Sequence, residues 1–328
     1  MDNAERAKFW NALYNLKDDV PEHIEAVRAT IKMPEYLCRY RPVTENSLRQ
    51  LQENKLYYSS ADYYDDPFDT FIHFDYARIK ELYKIIQEGL CSGNPAFFNM
   101  VKFVESAIGM SGEEFIDNLK ENELDLASLP DRIKQIRTIV QKELFSICFC
   151  ESALNETLWL KYADNYKGFA LVYNVNDQNT FLCGKDSVCE NCQSAGEKPT
   201  VYPVYYTELA YDATKFALAC LLRAEWGKVP PAVIEVSNKL VMWEAERLSL
   251  IKKKCHEYDQ EWRMIRPTMI ANRTCIKMKP AKIVLGLRMP EYERKLTVSA
   301  AEIAGIANIE ELYINELDQL DSRALPRG

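Results

Sequence analysis

From Phe71 to about Leu144 the sequence carries helical spacing throughout, yet short β-type runs stand on both sides of it. Helices are predicted at 74–89, 95–108, 112–122 and 130–145, punctuated by Gly93-Asn94-Pro95 and Leu129-Pro130-Asp131. Before this block, Tyr36-Leu37-Cys38-Arg39-Tyr40-Arg41 reads as a strand halted by Pro42, and Lys55 to Ser60 as a second. After it, Phe145-Ser146-Ile147-Cys148-Phe149-Cys150 is a compact apolar strand. Strict βαβ alternation is absent. The pattern therefore predicts an α+β domain, with a mixed or antiparallel sheet and a large helical insertion at 71–145.

The rest of the chain fits around that sheet. Residues 1–35 form a helical lead-in, with Phe9, Trp10, Leu13, Tyr14 and Leu16 at near-helical spacing before Pro21. Residues 36–316 make one α+β domain, with a cysteine-containing loop at 178–200, and 317–328 is a polar tail. Leu158, Trp159, Tyr162, Ala163 and Tyr166 share a helical face, with Ser152 or Asn155 as cap and Gly168 as a left-handed stop. Further strands are expected at 169–175, 200–206, 282–289 and 309–316, helices at 210–226, 231–255 and 291–305, and a hairpin through Ala271-Asn272.

Charge and composition exclude several classes. Lys plus Arg is 41 against 49 Asp plus Glu, a net charge of −8, which argues against gripping a nucleic-acid backbone. A small basic pocket for a phosphate-bearing ligand stays compatible with that balance. No apolar run is long enough to span a membrane, and the opening Met1-Asp2-Asn3-Ala4-Glu5-Arg6 is not of signal-peptide type. Ten mostly scattered cysteines fit a reducing, cytoplasmic setting. Neither GxGxxG nor GxxxxGK[ST] occurs, which removes the Rossmann and P-loop readings.

Four constellations carry possible chemistry. In Tyr258-Asp259-Gln260-Glu261-Trp262-Arg263, strand alternation puts Asp259, Glu261 and Arg263 on one face. Three charges there must face water, pair with one another or line a cleft; an exposed face with Glu261 paired to Arg263 is the plainer alternative. Arg39 and Arg41, with Tyr58-Ser59-Ser60, would suit a diphosphate through bidentate hydrogen bonds, or simply offset acidic neighbours on the surface. Asp65, Asp66, Asp69 and His73 form a further cluster in which Asp69 and His73, four apart, have a spacing compatible with a metal, although a capped turn is the preferred reading. Cys183, Cys189 and Cys192 would supply three ligands of a structural zinc, with Cys255 or His256 as distant candidates for the fourth; ordinary free thiols are the alternative.

These pieces occur in a recognisable order. Tyr40-Arg41-Pro42, Leu56-Tyr57-Tyr58-Ser59-Ser60 and Asp65-Asp66-Pro67-Phe68-Asp69 come first. Cys148 to Ser152, Leu158-Trp159 and Lys167-Gly168-Phe169 follow, and Tyr258 to Arg263 closes the set. The pattern resembles the bacterial family called domain of unknown function 2971, over roughly residues 36–316. More weakly, a strand-borne Arg, an aromatic-Ser-Ser strand and an acidic-x-Glu strand resemble ADP-ribosyltransferases of the Arg-Ser-Glu type. That resemblance implies an ADP-ribosyltransferase-like fold and an enzyme that cleaves the nicotinamide–ribose bond of NAD. ADP-ribose would pass to a protein or nucleic-acid acceptor, in the setting of a toxin or antiviral effector. It implies Glu261 as the catalytic carboxylate, Asp259 at the acceptor-orienting position, and Arg41 or Arg39 on the pyrophosphate. Ser60 or Ser59 would position Glu261, and Tyr58, Tyr64 or Phe68 would stack on nicotinamide. A non-catalytic nucleotide- or protein-binding module of the same fold is the alternative. A nuclease holding a divalent metal on Asp65, Asp66, Asp69 and Glu261 is a further one.

Overall fold

The computed structural model describes residues 1–66, 68–97, 101–102, 111–121, 127–175, 200–225, 243–266 and 275–325. Its strands are β1 (Tyr36–Arg41), β2 (Lys55–Tyr57), β3 (Ser59–Ser60), β4 (Ile72–His73), β5 (Phe145–Cys150), β6 (Phe169–Asn174), β7 (Val201–Pro203) and β8 (Tyr205–Thr207). They continue as β9 (Tyr211–Asp212), β10 (Ile251–Lys253), β11 (Glu261–Arg266), β12 (Cys275–Lys277), β13 (Lys282–Leu285), β14 (Ile309–Ile314) and β15 (Leu320–Ala324). The fold is mixed α+β. Its central sheet runs β15-β14-β13-β6-β1-β5-β11-β7, with β3 beside β5. β13 and β14 are parallel and the other pairs of that sheet antiparallel.

One feature of the ladder positions the site. β1 pairs with β6 from Tyr36↔Asn174 to Arg41↔Phe169, and β5 pairs with β11 from Cys150↔Glu261 to Phe145↔Arg266. β1 and β5 register with each other at Cys38↔Cys150, and their ladder stops there. Beyond that rung Arg39, Tyr40, Arg41, Ser146 and Cys148 line a common cavity. The sheet is forked at its middle, and the fork holds the site.

The helical insertion shares an apolar cluster with other parts of the chain. Ile79 and Tyr83 from Tyr76–Cys91, and Ile133 and Ile136 from Leu129–Glu143, join Phe216 from Thr214–Glu225 in one apolar cluster. The first helix, Asn3–Asn15, enters the same cluster through Phe9, Trp10 and Leu13. Its start is fixed by a capping box between Asp2 and Glu5. It also buries Arg6, whose guanidinium donates to the carbonyls of Val204 and Glu261 and to Glu151. The segment predicted as a lead-in is thus tied to the end of β11.

Several local expectations need correction. The described part of the long helix expected at 231–255 is a short helix, Glu244–Ser249, followed by β10, which pairs with β8. Among the described residues β11 and β12 are not paired with each other; β11 joins β5 and β7, and β12 joins β2. The turn through Ala271-Asn272 lies outside the described residues. Leu320–Ala324, expected in the polar tail, is the edge strand β15. Among the described residues no helix is long and apolar enough to cross a membrane.

Candidate functional site

β11 begins at Glu261, two residues after Asp259, so Asp259 is not part of the strand. Gln260 has φ of 44°, so the chain turns left-handed between Asp259 and Glu261. Glu261 and Arg263 share a strand face, while Asp259 reaches the same cavity from the 3-10 turn Lys254–Asp259. The three charges both pair and line a cleft.

One wall of the cavity is an ion network. The Arg263 Nε donates to Glu261 Oε1 at 2.6 Å, and its Nη1 and Nη2 donate to the two oxygens of Asp69 at 2.8 and 2.7 Å. Lys252 Nζ donates to Glu261 Oε2 at 3.0 Å and to Asp259 Oδ2 at 3.1 Å, and stands 3.7 Å from Asp69 Oδ2. All five residues are buried. Burial pushes the Glu261 carboxyl up, but the charges of Arg263 and Lys252 outweigh it and hold the group below the usual carboxylate range. Burial likewise pushes Lys252 down, and its carboxylate neighbours override that and keep it protonated. At Asp259 burial wins over the pull of Lys252 and the carboxyl is raised. Asp259 Oδ1 is buried with no hydrogen-bond partner.

The opposite wall is basic. Arg39 and Arg41 extend from β1, two residues apart, and Arg39 Nη1 is buried without a hydrogen-bond partner. Arg41 Nη2 donates to Gln50 at 3.1 Å. Among the described residues neither guanidinium has a carboxylate partner. The charge of Arg39, with burial, pulls Arg41 down to about 9, and burial pulls Arg39 down. The Cys148 thiol lies between the walls, interacting with both arginines and with Glu261. Burial, aided by Glu261, pushes that thiol up to about 12, which leaves it a neutral lining group.

A loop from the end of β3 closes one side. Tyr64 bonds through its hydroxyl to Ser146, and its ring lies 5.2 Å from the Arg263 guanidinium. Tyr63, Asp65 and Asp66 also line the cavity, as does Tyr162 from the helix Glu156–Tyr162. Trp159 of the same helix is core, edge-on to Tyr40 at 5.0 Å.

The structure therefore brings together Arg39, Arg41, Ser59, Tyr64, Asp259 and Glu261. Ser60, Tyr58 and Phe68 do not line the cavity. Ser60 is turned away and bonds to Asp62 at 2.5 Å, Tyr58 is buried in the core, and exposed Phe68 packs under Lys253 Nζ at 3.7 Å. Strand β3 is two residues long, and its pairing with β5 leaves Ser59 opposite Ser146 and sends Ser60 toward Phe145. Sequence reasoning missed Lys252, which sits in a run of three lysines that reads as solvated surface, and Ser146, which carries no motif; Tyr162, read with Trp159 and Tyr166 as a core-facing helical stripe, lines the cavity instead.

The metal expectations are corrected. Among the described residues no group of three or more His, Cys, Asp or Glu is arranged to hold a metal. Cys183, Cys189 and Cys192 lie outside the described residues. Of the candidates for a fourth zinc ligand, Cys255 is exposed and His256 Nε2 is 3.1 Å from Asp66. Structural zinc is therefore dropped. Asp69 and Glu261, invoked for a nuclease, are neutralised by Arg263 and Lys252 instead of standing ready for a divalent ion, and His73 is exposed on β4.

A scan against protein-family models, a search of curated proteins and a search of solved structures each give no match. The resemblances described above rest on the motifs alone.

Proposed function

We propose that the fork cavity binds NAD and that the chain is an ADP-ribosyltransferase-like enzyme, cleaving the nicotinamide–ribose bond and passing ADP-ribose to a macromolecular acceptor. The observation that carries this is the division of charge in one cavity. Two half-buried arginines, without acid partners among the described residues, face a carboxylate network across the Cys148 thiol. NAD has the complementary pattern: an anionic diphosphate at one side and a cationic nicotinamide ribose at the other. A buried guanidinium nitrogen with no partner is costly until an anion supplies one, so Arg39 and Arg41 fit a phosphate group.

The chemistry follows from that placement. As the C1′–N bond breaks, its electron pair goes to nicotinamide, which leaves neutral, and positive charge builds on the ribose, as in glycoside cleavage. The acceptor nucleophile then bonds to C1′ and its proton passes to solvent water. Glu261, held ionised, would accept from a ribose hydroxyl and stabilise that charge through a dipole already in place. Each of its oxygens accepts one bond from Arg263 or Lys252, which leaves lone pairs for substrate. Ser59 and Ser146, in place of Ser60, stand nearest to the role of a positioning serine.

The test follows nicotinamide release from NAD by wild type, Glu261→Gln and Arg41→Gln, with protein and nucleic-acid acceptors supplied. Wild type should release nicotinamide. Glu261→Gln should lower kcat by about a hundredfold or more, as loss of one transition-state contact does. Arg41→Gln should act chiefly on KM. A wild type as inert as Glu261→Gln across both acceptor classes overturns the enzyme reading. The occupation of both Glu261 oxygens by Lys252 and Arg263 favours a second reading, a non-catalytic nucleotide-binding module. Tight NAD binding without nicotinamide release is its signature.

A further inference from the structure

We infer that the fork cavity recognises a mononucleotide-sized unit, a ribose carrying one phosphate and a cationic base, and leaves the adenosine half of NAD outside. The inference rests on the NAD reading above and adds to it which part of the molecule is read.

Size comes first. The cavity measures about 230 Å³. Pockets that enclose a drug-sized ligand start at about 300 Å³, above the size of this one. A whole dinucleotide does not fit inside it. A sugar with a charged group on each side does.

The polar groups left without partners mark the same extent. Arg39 Nη1 is orphaned on the basic wall and Asp259 Oδ1 on the acidic wall, and both residues line the cavity. An anion beside Arg39 and Arg41, and a cationic or hydrogen-donating group beside Asp259, would satisfy both. The groups between them, Cys148, Ser146 and Glu261, suit ribose hydroxyls, and Tyr162 offers one ring for one base. Tyr64 is already used: its hydroxyl is on Ser146 and its ring faces Arg263. Tyr63 also lines the cavity but stands exposed at its edge, so the enclosed lining offers a place for one base and one phosphate.

The test is a calorimetric binding series on the full chain with NAD, nicotinamide mononucleotide and nicotinamide riboside, repeated on Arg41→Gln. The mononucleotide should bind within about fivefold of NAD. The riboside, lacking the phosphate, should bind about tenfold to a hundredfold more weakly, the worth of charge-assisted hydrogen bonds. Arg41→Gln should shrink the gap between mononucleotide and riboside. NAD binding more than about fivefold tighter than the mononucleotide, or equal binding of mononucleotide and riboside, overturns the inference and leaves the NAD reading standing. Mononucleotide binding without NAD binding keeps the inference and removes the dinucleotide. No binding of any of the three removes both.

Discussion

Arg263 grips Asp69 with both ends of its guanidinium, at 2.8 and 2.7 Å, and so ties the loop after β3 to strand β11. Both side chains are buried, so removing one partner leaves an uncompensated charge in the interior. Asp69→Ala is expected to cost about 3–5 kcal/mol, which for a chain of this size lowers Tm by several degrees or more. Thermal unfolding checks this. A melting curve within about 2 °C of wild type would show that the pair does not hold the loop.

Glu261 should have an acid signature of its own. Its folded-state carboxyl lies below the ordinary value of 4.5, because Arg263 and Lys252 overcome the effect of burial. A group lowered in this way adds stability that is fully present above its unfolded pKa and lost as the pH falls further. The stability gap between wild type and Glu261→Gln should therefore be flat from about pH 6 to 8 and close progressively below about 4.5. Denaturant titrations at several pH values measure it. A gap that changes between pH 6 and 8 would contradict the ionised, doubly paired state.

Glu244 should behave in the opposite sense. Burial raises its carboxyl to about 7, against the lowering effect of the Tyr211 hydroxyl and of Arg247. Tyr211 donates to its oxygens at 2.8 and 2.9 Å. The folded state then holds a proton that the unfolded chain has released, so stability falls as the pH rises from about 4.5 to 7 and levels off above that. The effect is of order 3 kcal/mol. Glu244→Gln keeps a hydrogen-bonding partner for Tyr211 and removes the charge. Its advantage over wild type should grow across that window. Parallel slopes for the two proteins would show that Glu244 does not titrate there.

The sequence made some of this legible for identifiable reasons. Alternation exposed β1, β5 and β11, because Leu37, Ile147, Phe149 and Trp262 are buried and recur at strand spacing. The helical insertion showed in its 3.6-residue pattern. The pairing of β1 with β5 was not legible, since a ladder that ends after Cys38↔Cys150 leaves no local mark. That ending turns two adjacent strands into two cavity walls. Lys252 was hidden for a related reason: a lysine run reads as surface, and the carboxylates around it come from two places, Asp69 far away in the chain and Asp259 with Glu261 just beyond a turn. The left-handed turn before Gly168 was anticipated in kind but misplaced, falling on Asp164, Asn165 and Tyr166.

Gly168 has a different reason to be glycine, and it bears on the site. A Cβ there would lie 2.1 Å from the Arg41 carbonyl oxygen and 3.0 Å from Ala163. These are backbone atoms, so relief requires moving the end of β1 that carries Arg41. Its own N–H donates to Ala163 at 2.7 Å and its carbonyl accepts from Gly286 at 2.9 Å, which leaves the glycine little room to retreat. Gly168→Ala should destabilise the fold by about 1–3 kcal/mol, as overpacking does. It should also weaken NAD and mononucleotide binding by displacing the Arg41 guanidinium. Gly93→Ala is the control. Its φ of +67° makes alanine unfavourable, but nothing lies within 4 Å of the added carbon, so it should cost about 1 kcal/mol with no effect on binding. Calorimetry on both variants, under conditions where each is folded, separates the two effects. If Gly168→Ala binds these ligands as wild type does, the end of β1 does not set the position of the basic wall.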